Sequence, residues 1–153
     1  MSNTYSQIFI QIVFAVKGRR SLIPPKSQET VNKYISGIIS TKGHKSIIVN
    51  GVSDHIHIFI GYKPSGSLSD LVREIKNNSS KYINENKLAS SKFNWQTGYG
   101  AFSYSKSHID NVYHYIQNQQ AHHQKESFKS EYLNFLQKFA IEYEEKYLFD
   151  WLE

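Results

Sequence analysis

The sequence predicts an α+β sandwich in which helices cover an antiparallel sheet. Short runs of β-branched and aromatic residues alternate with longer segments whose apolar residues recur at helical spacing. The predicted order is strand, helix, strand, strand, helix, strand, followed by two further helices. The chain has 153 residues with no repeat and no low-complexity linker, so we predict a single domain over residues 1–153.

The first half of the chain is predicted to contain three strands and one helix. The helix is expected to stop at Gly43, because glycine favours the end of a helix. Ser53-Asp54 joins the second and third strands so tightly that we predict a hairpin. The predicted bounds are residues 8–16, 46–52 and 55–62 for the strands and 27–42 for the helix.

The second half is predicted to contain three helices and one strand. Ser67 and Asp70 resemble a capping box, and an amphipathic pattern follows as far as Ile83. A strand is predicted over residues 93–105, and helices over 107–122 and 127–143. The whole order, β-α-β-β-α-β, is that of a ferredoxin-like sandwich, extended here by two C-terminal helices.

Composition narrows the function. The net charge of +5 and the pI near 9.3 favour a polyanionic partner. The absence of cysteine excludes disulfides, thiol catalysis and cysteine-based zinc sites. No apolar run has the roughly 18–20 residues of a membrane span, and the N-terminus is polar. We therefore expect a cytoplasmic protein without a membrane partner.

His55 and His57 are two residues apart on a predicted strand, so both side chains leave the same face. Adjacent imidazoles at this spacing can share one divalent ion. The alternative is a half-exposed strand with two polar residues on its solvent side. A zinc site would need further ligands, for which His122 and His123 are candidates.

Two tyrosines in the predicted helix over residues 107–122, Tyr113 and Tyr115, each have a glutamine four residues later. Tyr113 falls beside the apolar stripe of this helix, which predicts a packing role. Tyr115 points roughly 110° away from the stripe, on a helix that turns about 100° per residue, so it is the better candidate to project into a site. Gln119 lies on the same side and could offer an amide oxygen to a metal. The alternative is that both tyrosines are structural.

Basic and aromatic side chains are candidate DNA contacts. Arginine and lysine would bind phosphates, and tryptophan could stack on an unpaired base. The alternative for each is a solvated charge or a core aromatic. The candidates are Arg19, Arg20, Arg73, Lys76, Lys81 and Trp95.

The chain resembles the HUH single-tyrosine transposases of the insertion-sequence 200/605 family over nearly its whole length. The similarity rests on several short segments that occur in the right order. They are Lys17-Gly18-Arg19, residues 54–58 (Asp-His-Ile-His-Ile), residues 67–76, residues 95–100 and residues 115–119 (Tyr-Ile-Gln-Asn-Gln).

The resemblance implies a metal-dependent transposase acting on single-stranded DNA with a hairpin. It implies that His55, His57 and Gln119 bind Mg²⁺ or Mn²⁺, and that Tyr115 is the nucleophile that forms a 5′-phosphotyrosine. This ligand set carries no charge. Many members have a histidine in the first strand, where this chain has Gln11. No nucleotide-binding motif occurs, so no nucleotide cofactor is expected.

The resemblance also implies a homodimer in which the tyrosine helix can reach the partner's histidines. An aromatic C-terminal segment offers apolar surface for such an interface. Its residues are Phe135, Phe139, Tyr143, Phe149, Trp151 and Leu152.

Three alternative functions remain open from the sequence. One is a relaxase-type nickase, although such proteins are usually larger. Another is a domesticated transposase that processes hairpins for its host. The third is a non-catalytic ferredoxin-like module that stacks bases on its sheet.

Overall fold

The computed structural model describes residues 3–19, 22–123, 125–144 and 148. The described residues form one antiparallel sheet with the strand order β2-β3-β1-β4, which is the ferredoxin-like order, and the predicted fold class is confirmed. The strands are β1 (Phe9–Ala15), β2 (Lys45–Val52), β3 (His55–Gly61) and β4 (Gly100–Tyr104). The helices are α1 (Pro25–Thr41), α2 (Leu68–Glu85), α3 (Ile109–Gln117), α4 (Gln119–His122) and α5 (Phe128–Lys138).

The two central strands, β1 and β3, are buried on both faces. On one face Ile56, Ile58 and Ile60 enter the main core beneath α1 and α2. These two helices meet where the rings of Tyr34 and Tyr82 stack with centroids 3.9 Å apart. The predicted alternation of β3 is therefore confirmed, because the isoleucines share one face and the intervening residues take the other.

The opposite face of the sheet is covered by the C-terminal helices. Phe59 of β3 packs against Val112 and Ile116 of α3. The ring of Phe135 from α5 lies 6.1 Å from the ring of His57. The half-exposed alternative for β3 is wrong, since His55 and His57 are both 0% exposed.

The helices differ from the predicted bounds at their ends. The first begins at Pro25, two residues early, because proline suits the first helical position. The predicted helix over residues 107–122 is interrupted at Asn118, whose φ and ψ of −96° and 21° leave the helical region. The last helix ends near Phe139, before Ala140 with its φ of +52°. No described helix combines the length and apolar character needed to cross a bilayer.

The fourth strand is shorter than the predicted 93–105. Asn84 of α2 satisfies the backbone of Phe93 instead, accepting from its N–H at 2.8 Å and donating to its carbonyl at 2.9 Å. Trp95 makes a single bridge to Val16, and Gly98 has a φ of +91°. The segment before Gly100 is therefore a braced loop along the sheet edge.

Candidate active site

His55 and His57 are held through the same ring atom, Nδ1. The Nδ1 of His55 lies 2.7 Å from Asp54 Oδ1, and that of His57 lies 2.9 Å from Gln11 Nε2. The Gln11 carbonyl oxygen in turn accepts a hydrogen bond of 2.9 Å from the Tyr104 hydroxyl. Metal-binding histidines commonly donate Nδ1–H to a carboxylate, as His55 can to Asp54, and this leaves Nε2 for the ion. At His57 the Gln11 amide nitrogen is the donor, so Nδ1 accepts and Nε2 carries the proton; an ion at His57 Nε2 requires the Gln11 amide to turn over. Gln11 therefore supports His57 from the first strand.

The carboxylate of Glu131 lies where the histidine rings converge. Its Oε1 is 3.1 Å from His57 Nε2, 3.4 Å from His55 Nε2 and 3.0 Å from His123 Nε2. Glu131 projects from α5 and is 2% exposed. The helix places this charge beneath the protein surface, and the three imidazoles surround it.

The other carboxylate oxygen, Oε2, contacts the tyrosine helix. The Tyr115 hydroxyl donates a hydrogen bond to it, and Gln119 Nε2 donates another at 3.2 Å. The Tyr115 ring stands edge-on to His57 with centroids 6.0 Å apart. Tyr113 packs against the neighbouring His114 instead. The structure thus brings Tyr115, rather than Tyr113, to the histidine pair.

The cluster shifts the pKa values of its members in opposite directions. Burial would raise the pKa of Glu131, but the charge of His57 and the hydrogen bond from His123 outweigh it and hold that pKa well below its usual range. Burial and the charge of Glu131 raise the pKa of Tyr115. Burial lowers the pKa of His57. Tyr115 is consequently a protonated phenol beside an ionised carboxylate.

The donor atoms fit a cation. The His55, His57, His123 and Glu131 donors lie within 4.8 Å of one another. His55 Nε2 and Gln119 Oε1 are buried and form no hydrogen bond with any described residue. A buried polar atom without a partner is costly, and a bound ion would relieve that cost.

Sequence reasoning missed Glu131 altogether and treated His123 only as a candidate. The signal for Glu131 was its place on the apolar stripe of α5, where Phe128 and Phe135 are its neighbours three and four residues away. A carboxylate among buried aromatics needs a compensating partner. The expectation of an uncharged site is corrected here, because the Glu131 carboxylate lies among the predicted ligands.

Three of the predicted DNA contacts share one groove. Arg73, Lys76 and Trp95 line it beside α2, with a volume of about 510 Å³. Lys81 lies elsewhere on α2, exposed and 4.0 Å from Glu85. Arg20 lies outside the described residues, and of Arg19 only the backbone is described.

The three side chains in this groove differ in exposure and in the contacts that already hold them. Arg73 is exposed, with its guanidinium 2.8 Å from Asp70. Lys76 Nζ donates to the carbonyls of Gln96 and Gly98 at 2.7 and 2.5 Å, and burial lowers its pKa to about 8. Trp95 is 7% exposed and packs edge-on against core phenylalanines. Stacking on a base would require Trp95 to leave the core.

A second groove leads to the nucleophile candidate. It has a volume of about 400 Å³ and reaches both Tyr115 and Glu131. His108, Asn111, Asn134 and Lys138 also line it, together with Glu126, so the groove carries polar and cationic groups beside two carboxylates. His55 and His57 are fully buried and do not line this groove.

The ferredoxin-like sheet and the His-x-His pair beside a tyrosine helix are similar to what the resemblance to the HUH group implies. The sequence model of the family described as "Transposase IS200 like" matches residues 4–119. This chain therefore belongs to the IS200-like transposase family. The matched residues include the histidine pair, Tyr115 and Gln119, whereas His123 and Glu131 follow them.

Two solved structures share the fold. One is the crystal structure of a "putative transposase" from Deinococcus radiodurans R1, with a TM-score of 0.59 and 16% identity, covering 78% of this chain and 95% of that one. The other is a REP-associated tyrosine transposase bound to a REP hairpin, with a TM-score of 0.56 and 12% identity, covering 82% of this chain and 72% of that one. No curated protein sequence matches significantly.

Proposed function

We propose that this IS200-like transposase cleaves and rejoins single-stranded DNA through Tyr115, with a divalent ion bound by His55, His57 and Gln119. One observation carries the proposal. The Tyr115 hydroxyl, the Gln119 amide and the Nε2 atoms of both histidines converge on one buried carboxylate. A nucleophile and candidate ligands that meet within a few ångströms are the arrangement that phosphoryl transfer needs.

The chemistry exchanges one phosphodiester for another. The Tyr115 oxygen attacks the phosphorus, the bond to the 3′ oxygen breaks, and the products are a 5′-phosphotyrosine and a free 3′-hydroxyl. Attack by another 3′-hydroxyl then reseals the strand, so the bond energy is retained and no nucleotide is needed. Mg²⁺ or Mn²⁺ would act as a Lewis acid that stabilises charge on the phosphate.

The proton of Tyr115 must leave before or during attack. In the DNA-free protein, Glu131 Oε2 accepts the hydrogen bond of this hydroxyl. Burial and the neighbouring carboxylate raise the pKa of Tyr115, so the phenol holds its proton more strongly than a free tyrosine does. Attack on the phosphorus therefore requires a base that takes up this proton.

We propose a single strand bearing a hairpin as the substrate, acted on in the cytoplasm. The hairpin is suggested by the structurally similar REP-associated transposase, which was solved with one. The groove that ends at Tyr115 carries a lysine and amide side chains suited to a phosphate backbone. The net charge of +5 supports a polyanionic partner.

We also propose a homodimer, as the family resemblance implies. The folded chain offers less apolar surface for a dimer interface than the sequence suggests, because Phe135 is buried and Phe139 packs on Phe102 within the same chain. Phe149, Trp151 and Leu152 lie outside the described residues. The chain also brings its own Tyr115 to its own His57. The dimer we propose therefore does not require exchanged helices.

The central test is a covalent adduct. Wild type incubated with Mn²⁺ and a hairpin-bearing single strand should give a protein–DNA band on a denaturing gel. Tyr115→Phe should give none, because the attacking oxygen is gone. Tyr113→Phe, the matched control on the same helix, should keep the band. An adduct that survives in Tyr115→Phe and disappears in Tyr113→Phe would refute the assignment.

A further inference from the structure

We infer that His123 and Glu131 join His55 and His57 in a four-donor site that selects a first-row transition ion over Mg²⁺ in the DNA-free protein. The inference rests on the proposed function only in taking the histidine pair as a metal site. In place of Gln119 it assigns two ligands that lie after residue 119, beyond the part of the chain that matches the family. It also changes the class of ion.

The three histidine nitrogens lie close to one carboxylate oxygen, and all four donor atoms lie within 4.8 Å of one another. The Nε2 atoms of His55, His57 and His123 lie 3.4, 3.1 and 3.0 Å from Glu131 Oε1. Around a tetrahedral ion with bonds of about 2.0–2.2 Å, neighbouring ligands are about 3.3–3.6 Å apart. The carboxylate oxygen is near this distance from each imidazole, so we expect side-chain adjustment to bring the four groups around one ion.

Contacts with other residues also fix the position of each of the three imidazoles. Asp54 and Gln11 hold the Nδ1 atoms of the strand histidines. The backbone N–H of His123 donates to the Gln119 carbonyl at 3.0 Å, which fixes the turn that carries this ring. His55 Nε2 has no hydrogen bond with a described residue, although it is fully buried. This is the atom that an ion would satisfy most directly.

The donor set indicates the ion. Three imidazole nitrogens and one carboxylate oxygen suit Zn²⁺, Co²⁺ or Mn²⁺, which accept nitrogen ligands. Mg²⁺ prefers oxygen ligands and keeps several waters, for which a site this deeply buried leaves little room. The Glu131 carboxylate also offsets half the charge of a divalent ion. The structure therefore favours a nitrogen-binding ion at this place.

Such an ion would tie α5 to the sheet. Two donors come from β3, one from the turn after α4, and one from α5. Without an ion, α5 is anchored at this point by hydrogen bonds to Glu131 and by ring contacts such as that of Phe128 with His55, at 4.0 Å. With an ion, opening α5 would also have to break a metal bond.

The experiment measures metal binding without DNA. Apo protein is titrated with Co²⁺ by visible absorption, which reports ligand number, and with Zn²⁺, Mn²⁺ and Mg²⁺ by calorimetry. Glu131→Gln and His123→Ala should each weaken Zn²⁺ and Co²⁺ binding by more than about 100-fold, beyond what is typical of residues that only orient a ligand. Their matched controls, Glu126→Gln and the exposed His114→Ala, should bind as wild type. Wild type should bind Zn²⁺ far more tightly than Mg²⁺.

Two further measurements keep the result decisive. If Glu131→Gln fails to fold, metal binding by His123→Ala still tests the ligand set. Hydrogen exchange of the wild type gives a second test, because bound Zn²⁺ should slow amide exchange in α5. Normal binding by folded Glu131→Gln and His123→Ala, with loss in Gln119→Ala, would overturn the inference in favour of the ligand set that the resemblance implies. Hydrogen exchange in α5 that does not change on addition of Zn²⁺ would also overturn the inference. Lack of DNA cleavage with these binding results intact would refute the proposed function alone.

Discussion

Gly51, near the end of β2, packs so closely on β3 that a single methyl group should disturb the site. A Cβ built at Gly51 would lie 2.4 Å from the carbonyl oxygen of His55 and 3.0 Å from the Cα of Ile56. Both are backbone atoms, so no rotamer change can relieve the contact. Gly51→Ala must therefore push the two strands apart at the point where His55 begins β3.

The size of the effect follows from these distances. Opening the contact from 2.4 Å to at least 3.0 Å increases the separation of the Gly51 and His55 backbones by at least 0.6 Å, which the two strands share. Overpacking of this kind costs about 1–3 kcal/mol. For a chain of this length, that lowers the Tm by about 2–12 °C. The shift also exceeds the roughly 0.5 Å tolerance of a catalytic constellation, so cleavage and metal affinity should fall together.

Gly37 provides the control, because a Cβ there meets nothing within 4 Å in the middle of α1. Gly37→Ala should stabilise the protein by about 0.5–1 kcal/mol, since alanine loses less entropy in a helix. Thermal unfolding followed by circular dichroism compares both variants with wild type. A Gly51→Ala protein that melts at or above wild type would show that the strands do not approach as described.

Other expectations concern the nucleophile, the metal, the substrate and the assembly. Tyr115→Phe should lower the free energy of unfolding by about 1.5–3 kcal/mol, because a hydrogen bond to a charged group is lost. Equal melting temperatures of Tyr113→Phe and Tyr115→Phe would contradict this. A His57→Ala protein should lose cleavage in Mn²⁺ while still binding DNA in a gel-shift assay. Cleavage should require a single strand and weaken as salt rises, so comparable cutting of a full duplex would exclude the proposed substrate. A mixture of His57→Ala and Tyr115→Phe chains should stay inactive, because the site is complete within one chain; restored cleavage would mean that dimers exchange their tyrosine helices.

Features set by local periodicity could be predicted from the sequence. The alternation around His55 and His57 gave the strand, its faces and the shared direction of the imidazoles. The angle between Tyr115 and the apolar stripe singled out the tyrosine that lies beside the histidines. Both depend on neighbours a few residues apart, which the sequence displays directly. The expected packing role of Tyr113 is wrong, because Tyr115 is the one that packs against the hydrophobic core.

Features set by distant contacts could not be predicted. Glu131 reaches the histidines only because α5 folds back over the sheet, 74 residues from His57 in the chain. The short β4 depends on Asn84 of α2, which takes over the backbone of Phe93. The break in the helix at Asn118 could not be predicted either, because no glycine or proline occurs there.

The proposed metal donors come from two parts of the chain. The sheet and the tyrosine helix lie within residues 4–119, whereas His123 and Glu131 follow on an appended segment. The same segment also supplies core residues, since Phe128 and Phe135 pack on the strand histidines and Glu131 accepts the hydrogen bond of Tyr115. A change after residue 119 would therefore act on the ion site, the nucleophile and the packing of the sheet together.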